Sequence, residues 1–115
     1  VETVPAEQVI AELRARLLEF RPLHPAARRE IRRAFEWYLQ EASARIATGF
    51  LDDFEDTLAL LKTHPEIGEP SGSSTRRLIF QRYPYTVVYR LKGDTLEIVA
   101  IAHHSRQPEY WAGRL

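Results

Sequence analysis

Apolar residues in the first 63 positions recur at helical spacing and predict three helices. The first is short, begins near Pro5 and carries one apolar stripe made of Val9, Ile10, Leu13 and Leu17. A helix of this length is marginal alone, so we expect it to bury its stripe in a groove. The second helix runs from Pro25 to about Ser43 and the third spans 44–63. Because little spacer separates these two amphipathic helices, we expect them to form an antiparallel hairpin.

The third helix also shows how its two faces should differ. Its apolar positions are spaced by four and three residues and predict a buried face of Ile46, Phe50, Phe54, Leu58 and Leu61. The acidic residues between them predict an outer face of Asp52, Asp53, Glu55 and Asp56. The pair His64-Pro65 ends this helix, because the residue before a proline is excluded from the helical conformation.

Beyond residue 75 the pattern changes to one typical of strands. Residues 76–82, 85–91 and 95–103 are rich in Val, Ile, Tyr and Phe, and a tight turn at Lys92-Gly93-Asp94 joins the last two. The last strand is almost entirely apolar, which predicts a central strand with both faces covered. Residues 18–24 predict one more short strand, and 68–74 a polar loop.

These elements place the chain in the α+β class. We expect a helix hairpin packed on one face of a small, largely antiparallel four-stranded sheet, with residues 18–24 as an edge strand. Residues 1–17 then form a docking segment and residues 18–115 a single domain.

Composition narrows the function classes. The 115 residues include no Cys, which excludes disulfides, thiolate metal sites and a cysteine nucleophile, and fits a reducing cytoplasm. No apolar run reaches the ~18 residues that a membrane span needs. No metal-ligand cluster, phosphate loop or nucleophile elbow appears in the sequence, so we expect neither a metal nor a cofactor.

The charges are unevenly distributed although they cancel over the whole chain. Residues 18–73 hold seven basic and ten acidic residues, a net charge of −3, whereas residues 74–115 hold seven basic and three acidic residues, a net charge of +4. The basic third indicates an anionic partner, and a solvated face of mixed charge explains it equally well.

Four stretches carry a resemblance to a known family. They are HPAARREIRRAFEWYL, THPEIGEP, RRLIFQRYPYTVVYR and AIAHHSRQPEYW, and they occur in this order within residues 18–115. They resemble toxins of the RelE/ParE superfamily. The resemblance implies the small α+β fold deduced above, a role in a type II toxin–antitoxin pair and an antitoxin as partner.

Residues 1–17 resemble something else, the C-terminal tail of the short antitoxins that wrap and neutralise such toxins. The resemblance implies that this segment binds its own chain, or a neighbouring copy in a homodimer, through Val4, Val9, Ile10, Leu13 and Leu17. The alternative is an ordinary N-terminal helix that packs on the core.

The superfamily contains two activities, and the resemblance alone does not choose between them. RelE-like members cleave mRNA on the ribosome, whereas ParE-like members inhibit DNA gyrase and cleave nothing themselves. A metal-free ribonuclease site needs a base, cations for the phosphate and an acid, and its candidates here are His104, Arg106, Arg90 and Tyr110.

The ribonuclease set is incomplete when the family's positions are matched. Thr86 stands where RelE carries an Arg, and a later basic cluster is replaced by His103, His104, Ser105 and Arg106. This favours a ParE-like toxin that recognises its target through Arg77, Arg82, Arg90, His103, His104, Arg106, Tyr110 and Trp111. Two alternatives stay open: Trp111 caps the core instead of being exposed, or the chain is an inactive homologue that serves as a binding scaffold.

Overall fold

The computed structural model describes residues 6–17, 23–72 and 74–115. It contains three helices, four strands and a short C-terminal 3-10 helix. The helices are α1 (Ala6–Leu17), α2 (Pro25–Glu41) and α3 (Ala44–Thr63). The strands are β1 (Glu69–Ser71), β2 (Thr75–Ile79), β3 (Tyr85–Lys92) and β4 (Thr95–His103), and the 3-10 helix is Ala112–Arg114.

The α+β prediction is confirmed. The strands form one antiparallel sheet in the order β1-β2-β3-β4, and the α2–α3 hairpin packs on one face of it, here called the inner face. Phe35 and Phe50 from the helices meet Val87, Tyr89 and Ile101 from the sheet in the main core. This packing leaves the opposite, outer face of the sheet available to the C-terminal tail.

The fourth strand is not the one that the sequence predicts. Within the predicted strand 18–24, positions 18–22 lie outside the described residues, and Leu23 forms a single parallel bridge with Ile98. The fourth strand of the sheet is β1, in the stretch predicted as a polar loop, so that loop prediction is wrong. β1 pairs with β2 through backbone hydrogen bonds across a turn at Gly72, where φ is +64°, a conformation that glycine adopts readily. Such pairing leaves no apolar pattern in the sequence.

β4 lies at the end of the order of the four named strands, and on its other side Leu23 forms the parallel bridge with Ile98. Because residues 18–22 lie outside the described residues, the prediction of a central strand stays a prediction. The prediction that both its faces are covered is confirmed. Ile98 and Ile101 point into the main core, while Val99 and Ala100 belong to a second cluster with Trp111 on the outer face. The tail therefore covers the outer face of β4, as its apolar sequence requires.

Asp53 is the clearest correction on α3, because it was expected on the outer face and is completely buried. Its carboxylate accepts backbone hydrogen bonds from Gln81 at 3.3 Å, Arg82 at 2.9 Å and Tyr83 at 2.9 Å. These bonds satisfy amides of the turn between β2 and β3 that would otherwise be unpaired beside the core. A carboxylate on α3 thus fixes where the β3 strand begins.

The HPEIGEP stretch joins α3 to β1 through the hydroxyl of Tyr89. This hydroxyl donates to the Pro65 carbonyl at 2.8 Å and accepts from the Gly68 amide at 2.9 Å. A Cβ added at Gly68 would lie 2.5 Å from the Tyr89 oxygen and 2.9 Å from the Arg77 carbonyl. Only glycine fits here without displacing the buried tyrosine.

We therefore expect Gly68→Ala to lower the free energy of unfolding by about 2 kcal/mol, because the added methyl group breaks the Tyr89 hydrogen bonds. Urea denaturation followed by circular dichroism measures the change. Gly113→Ala is the matched control, since a Cβ there meets nothing within 4 Å. Equal stability of the two variants would contradict this account of the junction.

Candidate functional site

The outer face of the sheet and the C-terminal tail enclose a pocket of about 430 Å³, here called the outer pocket. Because side chains alternate along a strand, Arg77 and Ile79 of β2 and Thr86 and Val88 of β3 reach this face. The tail supplies the facing wall, which includes His103, His104, Arg106, Tyr110 and Trp111. Six of the eight residues predicted to bind a target thus line one concave surface.

The tail turns back onto the sheet at Glu109. This residue has a φ of +59°, a left-handed conformation that costs a non-glycine residue roughly 1 kcal/mol. The turn places Trp111, only 4% exposed, against Val88, Val99 and Ala100. The expectation of an exposed Trp111 is therefore wrong, and the alternative that it caps the core is confirmed.

A carboxylate on α2 fastens this tail. Glu30 accepts hydrogen bonds from the Tyr110 hydroxyl at 2.5 Å, from the Ile101 amide at 3.0 Å and from both terminal nitrogens of Arg114 at 2.8 and 3.1 Å. Arg114 also donates to the Val99 carbonyl at 3.1 Å. We call these groups the Glu30 cluster. It ties α2, β4 and the tail wall of the outer pocket into one unit.

The cluster also fixes the protonation of Tyr110. Burial raises the pKa of this phenol, and the hydrogen bond to Glu30 raises it further. The hydrogen bond with Glu30 is also the main reason that the pKa of Arg114 is raised. Tyr110 therefore stays protonated as a donor to Glu30, and its proton is not available to a substrate in this arrangement.

The remaining tail residues differ in how firmly they are held. The Arg106 guanidinium carbon lies 3.9 Å from the centre of the Tyr110 ring, a cation–π contact on an exposed side chain. His103 is half-buried, packs edge-on against Tyr85, and its Nδ1 accepts the Ser105 amide at 3.0 Å. The His104 side chain is exposed. Among the tail residues predicted to bind a target, Arg106 and His104 are thus the exposed ones.

Two of the predicted arginines lie elsewhere among the described residues. Arg82 pairs with Asp56 of α3 at 3.1 Å, and Arg90 donates through Nε to Glu97 of β4 at 2.6 Å. Neither lines the outer pocket. Arg77 does line it, half exposed, with Glu69 at 3.6 Å. Because Glu69 and Glu109 also line the pocket, its charge is mixed rather than uniformly basic.

A second surface forms where α1 lies along α3. Val9 is 6% exposed and Leu13 is fully buried, and both belong to the main core. Arg16 donates through Nε to Glu55 at 2.6 Å and through a terminal nitrogen to Asp52 at 2.9 Å. Burial alone would lower the pKa of Arg16, but the bonds to these carboxylates outweigh it and the pKa is raised. The predicted stripe is thus buried at Val9 and Leu13 and half-buried at Ile10, while Val4 and the Leu17 side chain lie outside the described residues.

Sequence patterns did not identify the carboxylates that anchor these two surfaces. Glu30 is one acid among four arginines of α2, and its partners lie 71 to 84 positions further along the chain. Asp52 and Glu55 appeared only as parts of a solvated face. The role of Glu30 could be identified only if the contact between the C-terminal tail and α2 were already known.

Two properties of residues 6–17, 23–72 and 74–115 concern metal binding and membrane spans. Their His, Asp and Glu side chains form no group of three that could hold a metal ion. None of their helices has the length and apolar character needed to cross a membrane.

Comparison with known proteins identifies the family. The family model described as "ParE toxin of type II toxin-antitoxin system, parDE" matches residues 22–108. A solved structure titled "Chromosomal ParDE TA system from P. aeruginosa" is similar with a TM-score of 0.62 and 19% identity, over 70% of this chain and 90% of that one, which supports the fold. No curated protein matches the chain. Because the family model spans most of the sequence, the chain belongs to the ParE toxin family of type II toxin–antitoxin systems.

Proposed function

We propose that this chain is a toxin that inhibits DNA gyrase and that its α1 segment neutralises it as an antitoxin tail would. We prefer gyrase over the ribosome as the target because two of the ribonuclease candidate residues are held in other interactions. Arg90 is held by Glu97 and does not line the outer pocket, and the Tyr110 hydroxyl is held by Glu30. What is left is a concave, mixed-charge surface suited to recognising a protein.

The proposed partners are an antitoxin and the gyrase. The antitoxin is either a separate cognate protein or α1 itself, docked on its own chain or exchanged between two copies in a homodimer. The support for the second form is the burial of Leu13 and the ion pairs of Arg16, because both tie α1 to the domain that matches the toxin family.

The test is a gyrase supercoiling assay on the full chain carrying Val9→Asp and Leu13→Asp. Two carboxylates on the buried stripe should undock α1, because burying an unpaired charge costs several kcal/mol. We expect this undocked variant to inhibit supercoiling at a concentration about tenfold lower than the parent chain, since ~1.4 kcal/mol of lost docking already corresponds to that factor. A separate peptide of residues 1–17 should relieve the inhibition.

The matched control is Ala11→Asp with Ala15→Asp, which adds the same charge on the exposed face of α1. It should behave like the parent chain. A correctly folded undocked variant that leaves supercoiling untouched would contradict gyrase as the target.

Ribosome-dependent mRNA cleavage is the second candidate, favoured by the presence of His103, His104 and Arg106 in one pocket. It predicts that the undocked variant cleaves ribosome-bound mRNA and that His104→Ala with Arg106→Ala abolishes the cleavage. The third candidate, an inactive scaffold, predicts that the undocked variant is harmless when it is expressed in cells.

A further inference from the structure

We propose that Asp52 and Glu55 select which helix docks on α3, by requiring a guanidinium three residues after the leucine that enters the core. The occupant is then an antitoxin-type helix with two apolar residues four positions apart and an arginine at the next turn, as in Val9, Leu13 and Arg16. This inference rests on the proposed function, and it deepens it by stating the chemistry of the partner.

The geometry of Arg16 supports a selective role. Its side chain is only 16% exposed, whereas Asp52 is 56% and Glu55 37% exposed. The carboxylates are therefore solvated whether or not a helix is docked, and the arginine is the group that becomes enclosed. An acidic pair of this kind remains in place when the surface is empty, ready for the next cation.

The spacing along α1 links the charge to the apolar contact. Residues three apart lie on the same side of a helix, so Leu13 and Arg16 reach α3 together. Val9 lies beside Ala44 and Thr48, and Arg16 lies beside Asp52 and Glu55. The contacts thus advance along both helices in the same direction, and the ion pairs at one end oppose docking in the reverse direction.

The apolar part of this surface cannot provide that discrimination. It is formed by small residues, Ala44, Thr48 and Gly49, which line a cleft of about 490 Å³ beside α1. Gly49 cannot become larger, because a Cβ would lie 2.5 Å from the Tyr83 hydroxyl, which donates to the Ile46 carbonyl. Small residues beside Val9 offer little shape for selecting among amphipathic helices, so we assign that selection to the charges of Asp52 and Glu55.

The acidic pair repels an acidic helix as well as attracting a basic one. A partly exposed ion pair adds modest affinity, but a glutamate in place of Arg16 would bring three carboxylates together. Like charges placed opposite each other at a docking surface oppose binding. We therefore expect the acidic pair to exclude helices with an acid at this position more strongly than it strengthens those with a base.

The test measures binding of labelled 1–17 peptides to the full chain by fluorescence anisotropy. The receptor carries Val9→Asp, Leu13→Asp and Arg16→Gln, so that its own α1 does not compete. The parent peptide should bind about tenfold more tightly than the same peptide with Arg16→Glu. A receptor that also carries Asp52→Lys and Glu55→Lys should reverse this preference, and added salt should weaken the preference in both.

Glu66→Lys in the same receptor is the control, because it reverses an exposed acid in the turn after α3 and should keep the original preference. Equal binding of both peptides to the unmodified receptor overturns the selectivity and leaves docking intact. Failure of both peptides to bind a folded receptor contradicts the neutralising role of residues 1–17 itself. Neither outcome depends on the gyrase assay, so the two proposals fail separately.

Discussion

Replacing Glu30 with Gln is expected to lower the free energy of unfolding by about 3 kcal/mol. The carboxylate has little exposure and accepts from Tyr110, Ile101 and Arg114 together. An amide offers one oxygen where the carboxylate offers two, so Arg114 loses its charged partner and at least one donor is left unsatisfied. Urea denaturation monitored by circular dichroism measures the loss.

Glu36→Gln provides the matched control on the same helix. Glu36 lies 3.9 Å from Arg32 on an exposed surface, and its loss should change stability by no more than about 0.5 kcal/mol. If Glu30→Gln were as mild as Glu36→Gln, the Glu30 cluster could not be what fastens the tail. In the undocked background we also expect Glu30→Gln to weaken gyrase inhibition, because Tyr110 and Arg106 lose the arrangement that forms the pocket wall.

Replacing Asp53 with Asn is expected to cost a similar amount, about 3 kcal/mol, for a different reason. The buried carboxylate accepts hydrogen bonds from three backbone amides, and an Asn side chain must turn its own NH₂ group toward some of these donors. The turn from 81 to 84 would lose its anchor, and with it the packing of Tyr83 against Phe50.

Asp56→Asn is the control for this variant, since Asp56 is 60% exposed and pairs only peripherally with Arg82. It should leave the urea midpoint almost unchanged. A small effect at both positions would mean that the turn holds its conformation through its own backbone, without help from α3.

The helices and the two longest strands were predictable because each carries its own periodic pattern. α3 and β4 have the predicted bounds, and α2 ends two residues early. β1 was not predictable, since Glu69, Pro70 and Ser71 carry no apolar strand pattern. Asp53 was misplaced for a related reason. Helical periodicity places a charged residue on the exposed face unless the distant backbone amides that donate hydrogen bonds to it are known.

The location of the candidate site was predictable from the sequence. The set of residues that line it was predicted less accurately. Strand alternation brings Arg77 to the outer face and the tail brings His104 and Arg106 to the same pocket. Arg82 and Arg90 were included for their charge, but each has a carboxylate partner that holds it elsewhere. For Trp111 the sequence left exposure and capping of the core both open, and the left-handed turn at Glu109 returns it to the sheet.

Because α1 and α3 belong to one chain, dilution acts differently on their association than on the association of two separate proteins. When two separate proteins associate, the bound fraction falls as their concentrations drop toward the dissociation constant. A helix that docks on its own chain obeys a unimolecular equilibrium, and the fraction of molecules with α1 docked contains no concentration term. When α1 docks on its own chain, as proposed, Leu13 and Arg16 should hold the same proportion of molecules closed in a cell with one copy of the chain as in a cell with thousands.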